Sequence, residues 1–549
     1  MNAYANESTV KGDFSGNASI NYFGGLGEFQ LVGSEYRMKL TRGNITRVYR
    51  INQTIGSRFT QYYVGKMIKG PEHAGHDFYK TDHVLPFGYW LDEQQWIPIV
   101  HVHQIVDEDA QTQKDEDEWP SDQRLDPFSN PGFVPYSVCN DCHTTFPLAD
   151  LFVKSPDILG MHFPHKANFS VSDYLRSERP TFRRRDQRPS VHSRKEIMNL
   201  IETTREWEAP DMAVNLGISC EACHMGSKAH AEDKHQKLDF FAKSPHLRLE
   251  GLKEKDFGRN QTNVNYMCGR CHAGGRPVYA NEISTWNSTE YTDATLGSCY
   301  SELKCIDCHD PHSGIGKKWA ATPTQDDQSC IRCHDQFTEP AAIQAHTHHK
   351  PNTAGSRCMN CHMPRINEGL QDIVRTHAIF SPTDRNMIEK NHPNACNMCH
   401  TEKPIDWTLT HLNEWYGKTY SENLLAKSYP NRSAPVAQNW LASRKSSVRL
   451  IGADSLMRTE SHWAIDDLLD SLDDPFLINR QFASRGLEQM LDIDLENFGY
   501  QFYMTIDERK EPLKKLRQKV GAPASMNGTT DRHRGSNKNN ALNSKKPVN

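Results

Sequence analysis

A long apolar run is missing from this sequence of 549 residues. A helix that crosses a membrane needs about 18 or more consecutive apolar residues, and no such stretch occurs. Mean hydropathy is low, at −0.74. The sequence therefore predicts no transmembrane span. Its first residues, Met1–Asn6, also lack the basic segment and apolar stretch of an export signal.

A large excess of one charge is missing too. The 64 Lys and Arg residues nearly balance the 69 Asp and Glu residues, which leaves a formal net charge of −5. Nucleic acids and anionic membrane surfaces attract proteins with a strong positive excess. Neither is indicated as a partner here.

Cysteines outside one short motif are almost absent. Fourteen of the 15 cysteines belong to copies of Cys-x-x-Cys-His, and Cys299 alone lies elsewhere. A disulfide framework has no use for a histidine after every second cysteine. Zinc ribbons need no such histidine either, and a thioredoxin-like site would carry a single motif. We expect Cys299 to be a partly buried thiol without a ligand role.

The motif occurs seven times between residues 139 and 400. It is the attachment signature of c-type haem: each thiol bonds to the porphyrin, and the histidine binds the iron axially. The sequence therefore predicts seven haem c groups, and an eighth if a further motif precedes this chain. The predicted attachment thiols are Cys139, Cys142, Cys220, Cys223, Cys268, Cys271, Cys305, Cys308, Cys330, Cys333, Cys358, Cys361, Cys396 and Cys399. The predicted proximal ligands are His143, His224, His272, His309, His334, His362 and His400.

The second axial ligand of each iron decides between electron transfer and catalysis. Two histidines saturate an iron, whereas an open position can bind a small substrate. Of 27 histidines, 20 lie outside the motifs. This number is more than enough to give each of seven irons a second histidine ligand, so no iron has to keep an open position. His312 follows its own motif too closely to reach the far face of the same iron, so it should bind a neighbouring one. The expected distal ligands are His230, His312, His349 and His377, with His246, His392 and His165 as weaker candidates and His73, His76, His83, His101 and His103 unranked.

Three regions differ in their patterns. Residues 1–130 form a β-rich segment and an acidic loop, with a hairpin predicted where Tyr36–Thr41 and Ile45–Ile51 alternate around a turn at Gly43. Residues 131–416 form the haem region. It has too little chain to enclose each haem in its own apolar core, so we expect short helices and loops around a core of porphyrins, and no folding in the apo state. An arginine cluster at 183–194 could be a solvated loop, a docking patch or a propionate partner.

Helical spacing characterises the C-terminal region. Three helices are predicted, at 448–457, 465–472 and 478–491, and Asp473-Asp474-Pro475 separates the last two. Residues 432–521 thus look like about two HEAT-type units that form a cap. Residues 522–549 should be a disordered tail. The predicted fold class is a multihaem cytochrome c, mostly irregular with short helices, between a β-rich N-terminal segment and a HEAT-like helical cap.

Residues around the motifs resemble a bacterial family of multihaem c-type cytochromes, in which TPR or HEAT repeats follow a cytochrome c554-like haem region. The segments that carry the resemblance are 217–224 with His230, 305–312, 356–364 after His349, 393–400 with Trp407, and 54–63. Family members typically have one more motif directly before a segment like residues 1–14. The resemblance thus implies a preceding piece with an eighth haem and an export signal. It also implies extracytoplasmic electron transfer.

Two functions stay open on the sequence. The favoured one is a periplasmic or extracellular electron carrier, because c-type haem is attached outside the cytoplasm. Its expected partners are redox proteins, either quinol-linked or outer-surface electron carriers, and self-assembly into a homo-oligomer or filament is compatible with it. The rival is an oxidoreductase that acts on a small nitrogen or sulfur compound at one five-coordinate haem. No lysine replaces a motif histidine, so the signature of nitrite-reducing haems is missing, and no catalytic residue is predicted. A redox-sensing interaction module has no support beyond the HEAT-like helices.

Overall fold

The computed structural model describes residues 2–99, 127–128, 135–147, 165, 167–178, 213–224, 227–238, 240, 245–312 and 321–520. The acidic loop, the arginine cluster at 183–194, His101, His103 and the tail at 522–549 lie outside the described residues. In the described part, no helix is both long enough and apolar enough to cross a membrane.

An antiparallel sheet occupies the N-terminal region. Its strands are β1 (Ala3–Tyr4), β2 (Ser15–Tyr22), β3 (Gly25–Val32), β4 (Glu35–Arg42), β5 (Ile45–Gly56), β6 (Thr60–Lys69), β7 (His83–Val84), β8 (Phe87–Trp90) and β9 (Gln95–Pro98). Their order is β2-β3-β4-β5-β6-β8-β9, with β1 beside β5 and β7 beside β6. The predicted β-rich segment is confirmed. So is the hairpin, because β4 pairs with β5 from Arg37–Arg50 to Arg42–Ile45 around Gly43, whose φ is +59°.

Alternation buries one face of this sheet. Phe29 stacks on Trp96 with ring centres 3.4 Å apart, and Phe14 meets both rings edge-on. Close strand approach requires a glycine in β6, because a Cβ on Gly65 would collide with the carbonyl of Arg50. The result is a core built from aromatic side chains.

Helices and short strands make up the rest of the described chain. The α-helices are Asp77–Lys80, Ser137–His143, Val171–Glu178, Cys220–Cys223, Lys228–Glu232, Gln261–Gly269, Glu290–Leu296, Pro323–Ile331, Pro340–Thr347, Cys358–His362, Arg385–Glu389, Ile405–Tyr416, Glu422–Ser428, Val436–Leu441, Ser446–Arg458, Ile465–Asp470, Leu477–Leu491 and Ile506–Val520. The 3-10 helices are Glu254–Phe257, Cys305–Asp307, Asp335–Phe337, Ala354–Ser356, His462–Ala464, Ser471–Asp473 and Leu495–Phe498. Three two-stranded pairs join Thr144–Thr145 to Asn215–Leu216, Ala167–Phe169 to Leu247–Leu249, and Arg365–Glu368 to Ile373–Arg375.

The three predicted C-terminal helices are present. Residues 446–458, 465–470 with a 3-10 turn, and 477–491 are helical. Asp474 lies between the second and third helices, where it accepts the backbone N–H of Phe476 at 2.8 Å and pairs with Arg449 at 2.7 Å. This helical end packs on the sheet through Trp90 and Phe502, whose ring centres are 6.2 Å apart. The β-rich region and the helical region therefore share one apolar cluster.

One part of the motif-bearing region differs from these two ends in its burial. In residues 292–312 and 321–365, Pro364 apart, no aliphatic or aromatic side chain is buried. A stretch of that length normally needs an apolar core to stay folded. The expectation of a porphyrin core in this segment is compatible with that burial and stays a prediction.

Candidate haem sites

Each attachment motif forms a single helical turn. The backbone N–H of the motif histidine donates to the carbonyl of the first cysteine, for example from His224 to Cys220 at 2.7 Å and from His272 to Cys268 at 2.9 Å. The same bond closes the turns at His309, His334 and His400. One turn places residues three and four apart on the same face. Both thiols and the imidazole thus point to one side, as a covalently attached, axially ligated porphyrin requires.

Four motif histidines each face a second histidine across a constant gap. The ring-centre distances are 6.2 Å for His224–His312 and 6.1 Å for His309–His377, His362–His346 and His400–His349, with interplanar angles of 12°, 22°, 4° and 31°. A metal–imidazole bond is about 2.0 Å long, so two such bonds on opposite sides of one ion separate the ring centres by about 6 Å. Directly stacked rings would lie closer. The spacing thus fits one iron between each pair.

The ring nitrogens of two of these histidines are oriented for metal binding. Nδ1 of His349 lies 2.6 Å from the carbonyl of Thr347, and Nδ1 of His362 lies 2.9 Å from that of Phe380. A carbonyl partner fixes the proton on Nδ1 and leaves Nε2 unprotonated. Burial also lowers the pKa of His346 and His400. Neutral rings are the form that binds iron.

Three of the expected distal ligands are thus placed opposite a motif histidine: His312, His349 and His377. The ring of His312 faces His224 of the second motif although His312 follows the fourth, which agrees with its short spacing to His309. His346 is absent from the ligands expected on sequence. Its window, His346-Thr-His-His349, offers three candidates, and the structure brings the first and last of them to two different motifs.

The other expected ligands have different surroundings. Nδ1 of His230 lies 2.7 Å from the carbonyl of Gln236, and Nε2 of His246 lies 3.0 Å from the hydroxyl of Ser177. Nε2 of His165 lies 2.9 Å from the side-chain oxygen of Asn263. In the described part of the chain, none of these rings is stacked on a motif histidine.

His392 is held in a tautomer that does not suit a ligand. Its ring is buried, and Nδ1 accepts the backbone N–H of Ala280 at 2.9 Å. Nε2 of the neutral ring must then carry the proton, which leaves neither nitrogen free for iron. Burial lowers the pKa of His392 to about 3, so the ring stays neutral. The structure gives this histidine a packing role between Tyr279 and the 387–392 turn.

The third motif differs from the four paired ones. Nδ1 of His272 lies 2.7 Å from the carboxylate of Glu290, at the start of helix Glu290–Leu296. In the ring without a metal, this bond raises the pKa of His272 to about 9, and an iron on Nε2 would take the place of the proton there. Burial would raise the pKa of Glu290, but the same bond holds it at about 2. Glu290 is a functional candidate that the sequence does not reveal, because it lies outside every motif and 18 residues from its partner. His143, His272 and His334 face no second histidine among the residues that the structure describes.

Neighbouring motifs touch one another. The thiols of Cys142 and Cys271 each lie 3.8 Å from the other's carbonyl oxygen, which joins the first motif to the third. Arg270 of the third motif donates to the carbonyl of Ala222 in the second. The buried Asn265 accepts the backbone N–H of Cys305 at 2.9 Å and so links the third motif to the fourth. The third motif therefore contacts three others.

The contacts continue from the fourth motif to the seventh. Arg332 lies 3.6 Å from Asp307, across the fourth and fifth motifs. Asp327 joins the fifth to the sixth, because it accepts from Arg357 at 2.8 Å and from the backbone of Cys358 at 3.1 Å. The sixth and seventh motifs are joined through one segment, because His346 faces His362 and His349 faces His400, each with ring centres 6.1 Å apart. All seven motifs form one contiguous set.

Of three comparisons with known proteins, the family model bears directly on the motifs. The family model for the doubled CXXCH motif matches residues 300–339, which contain the fourth and fifth motifs. No curated protein matches the chain. Among solved structures, the outer cell wall cytochrome OcwA is similar over 80% of this chain and 88% of that one, at 12% identity and a TM-score of 0.31. The CXXCH motifs mark covalent haem c attachment at more than one site, and the chain is a multihaem c-type cytochrome.

Proposed function

We propose that this chain is an extracytoplasmic electron carrier that holds seven haem c groups, most of them between two histidines. The observation that carries the proposal is the set of four imidazole pairs at 6.1–6.2 Å. When bound, haem c supplies a one-electron iron couple at each site. Iron with two histidine ligands has no position for a substrate, which favours electron transfer over catalysis.

The assignment of ligands follows from these pairs. His224, His309, His362 and His400 would be proximal ligands, opposite His312, His377, His346 and His349 respectively. The cysteines of each motif would hold the porphyrin edges. The direct contacts between motifs keep the sites adjacent, as transfer from one to the next requires. Attachment of haem c outside the cytoplasm supports a periplasmic or extracellular location, and the partners would be other redox proteins.

One observation favours the enzymatic alternative at a single site. The carboxylate of Glu290 on Nδ1 of His272 makes this imidazole more electron-rich than rings whose Nδ1 meets a carbonyl. An electron-rich proximal ligand stabilises ferric iron and favours activation of a bound small molecule. If the chain is an oxidoreductase, the third motif would therefore hold its catalytic haem.

Spectroscopy of the holoprotein tests the carrier proposal. His312→Ala, His377→Ala, His346→Ala and His349→Ala should each convert one low-spin ferric haem to high spin in the EPR spectrum, because each removes one axial ligand. The exposed His462 in the helical region serves as the matched control, and His462→Ala should leave the spectrum unchanged. Unaltered spectra in all four variants would refute the assigned pairs. A wild-type high-spin signal that shifts with nitrite or hydroxylamine would favour the oxidoreductase.

A further inference from the structure

A single short segment supplies both expected distal ligands of the last two motifs. His346 lies in the last turn of helix Pro340–Thr347 and faces His362. His349 follows three residues later and faces His400. The spacing between the two ligands is thus set by the backbone at the helix end, and any shift of that segment would reach both irons.

The residue between the ligands has an unusual backbone. His348 adopts φ +58° and ψ +18°, the left-handed region that non-glycine residues seldom occupy. Its backbone N–H still donates to the carbonyl of Gln344 at 2.8 Å and ends the helix. Its ring stacks on Trp415 with centres 4.3 Å apart and planes 9° apart. This stack holds His348 in a conformation that it would otherwise seldom adopt.

Trp415, on which the His348 ring stacks, belongs to helix Ile405–Tyr416. Besides Trp415, it presents Tyr416, whose hydroxyl donates to the carbonyl of His346 at 2.7 Å. Near its start, Trp407 lies 4.7 Å from the ring centre of His400. His411 fills the interval, 4.5 Å from Trp407 and 4.6 Å from Trp415. One helix face therefore reaches the proximal ligand of the seventh motif and the backbone of the ligand segment.

The ring of His349 rests on a glycine from a third segment. An added Cβ at Gly355 would lie 2.8 Å from Nε2 of His349 and closer still to Cγ and Cδ2. The backbone there does not require glycine, because φ of Gly355 is not positive. Glycine at 355 therefore makes room for the imidazole of His349 and is not required by the backbone conformation. Alanine would fit the local 3-10 turn and push the ring away from His400.

We propose that Trp415, Tyr416 and Gly355 are positioning residues that hold His346 and His349 as one unit, so that axial ligation at the sixth and seventh motifs is coupled. The proposal rests on the assignment of those two histidines as ligands. Trp415 fixes both ligands through His348, whereas Tyr416 acts on His346 and Gly355 acts on His349. The consequence is that one aromatic side chain, which binds no iron, controls the spin state and the potential of two haems.

EPR and redox titration of the holoprotein test the coupling. In Trp415→Ala, two haems should change from low spin to high spin and two midpoint potentials should shift. In Trp415→Phe, which keeps an aromatic ring, the spin states and potentials should match those of the wild type. His348→Ala removes the same stack from the exposed side, and should reproduce the double effect if Trp415→Ala does not mature. Trp463→Ala, at an exposed tryptophan of the helical region, is the control and should change neither measurement.

Two further variants test the positioning of His346 and of His349 separately. Gly355→Ala should convert one haem to high spin, the one that His349→Ala also converts. Tyr416→Phe should shift the potential of the haem that His346→Ala affects and leave the other in place. Unchanged spectra and potentials in Trp415→Ala and His348→Ala, or a change at one haem only, would overturn the coupling. If His346→Ala and His349→Ala themselves leave all haems low-spin, the ligand assignment fails instead.

Discussion

Replacing Glu290 by glutamine should raise the reduction potential of the haem attached at Cys268 and Cys271. The carboxylate lies 2.7 Å from Nδ1 of His272. Its negative charge draws the Nδ1 proton and makes the imidazole a stronger donor, which stabilises ferric over ferrous iron. Glutamine keeps an oxygen that can accept the same hydrogen bond and removes the charge. The substitution therefore isolates the electrostatic part of the interaction.

The size of the shift can be bounded. Hydrogen-bond partners of metal-binding histidines typically change metal affinity about 10- to 100-fold. If the affinity for only one oxidation state of the iron changes tenfold, the midpoint potential of a one-electron couple shifts by about 59 mV. The His272 side chain is 56% exposed and that of Glu290 26% exposed. Water screens part of the charge at such sites, so we expect the lower end of that range, ~60 mV upward.

Spectroelectrochemical titration of the holoprotein measures this shift. One of the midpoint potentials should move, and the others should keep their values. Glu302→Gln is the matched control, because it removes the same charge from an exposed position of the neighbouring segment. An equal shift in Glu302→Gln would mean that net charge, and not the bond to His272, sets the potential. No shift in Glu290→Gln would refute the reasoning.

Three further predictions concern stability. Protein made without haem attachment should lose protease protection across residues 292–312 and 321–365, where, Pro364 apart, no aliphatic or aromatic side chain is buried, while the N-terminal sheet stays protected, as limited proteolysis would show. Asn265→Ala should destabilise the holoprotein by about 1–3 kcal/mol in urea denaturation, because it leaves the partly buried amide of Cys305 and the carbonyl of Leu303 unpaired. Arg480→Met should cost about 2–3 kcal/mol in the same assay, because Arg480 is fully buried and donates to the carbonyls of Phe502 and Asp474, and an unchanged midpoint would contradict this.

Local patterns predicted the regular elements well. The β4–β5 hairpin and the three C-terminal helices follow from alternation and helical spacing, which short-range geometry imposes. Helix Ile506–Val520 is not among the expected elements, although Leu513 and Leu516 are buried on one of its faces. Its mostly charged sequence, with Pro512 inside, masks that periodicity. The HEAT-type assignment of this region stays a prediction.

Distal ligands were harder to predict because they depend on long-range folding. His312 can be predicted as a ligand of a neighbouring iron, because it lies only three residues after His309 and cannot reach the opposite face of the iron that His309 would bind. His349 is expected on sequence, but His346 is not, because which rings face a motif histidine depends on the left-handed turn at His348. His392 lies close to a motif in sequence but is held by a backbone N–H more than 100 residues away. Such contacts leave no local signal.

The chain order of these ligands has a consequence for folding. His312 follows the fourth motif yet faces the second, and His377 follows the sixth yet faces the fourth. Each such iron would therefore bind two segments that are far apart in sequence. Ligand binding that joins distant segments contributes its free energy directly to folding. In residues 292–312 and 321–365, Pro364 apart, no aliphatic or aromatic side chain is buried, so the axial bonds would supply there the long-range order that packing supplies at the two ends of the molecule. Loss of one distal histidine should thus loosen the segment that carried it as well as change a spin state.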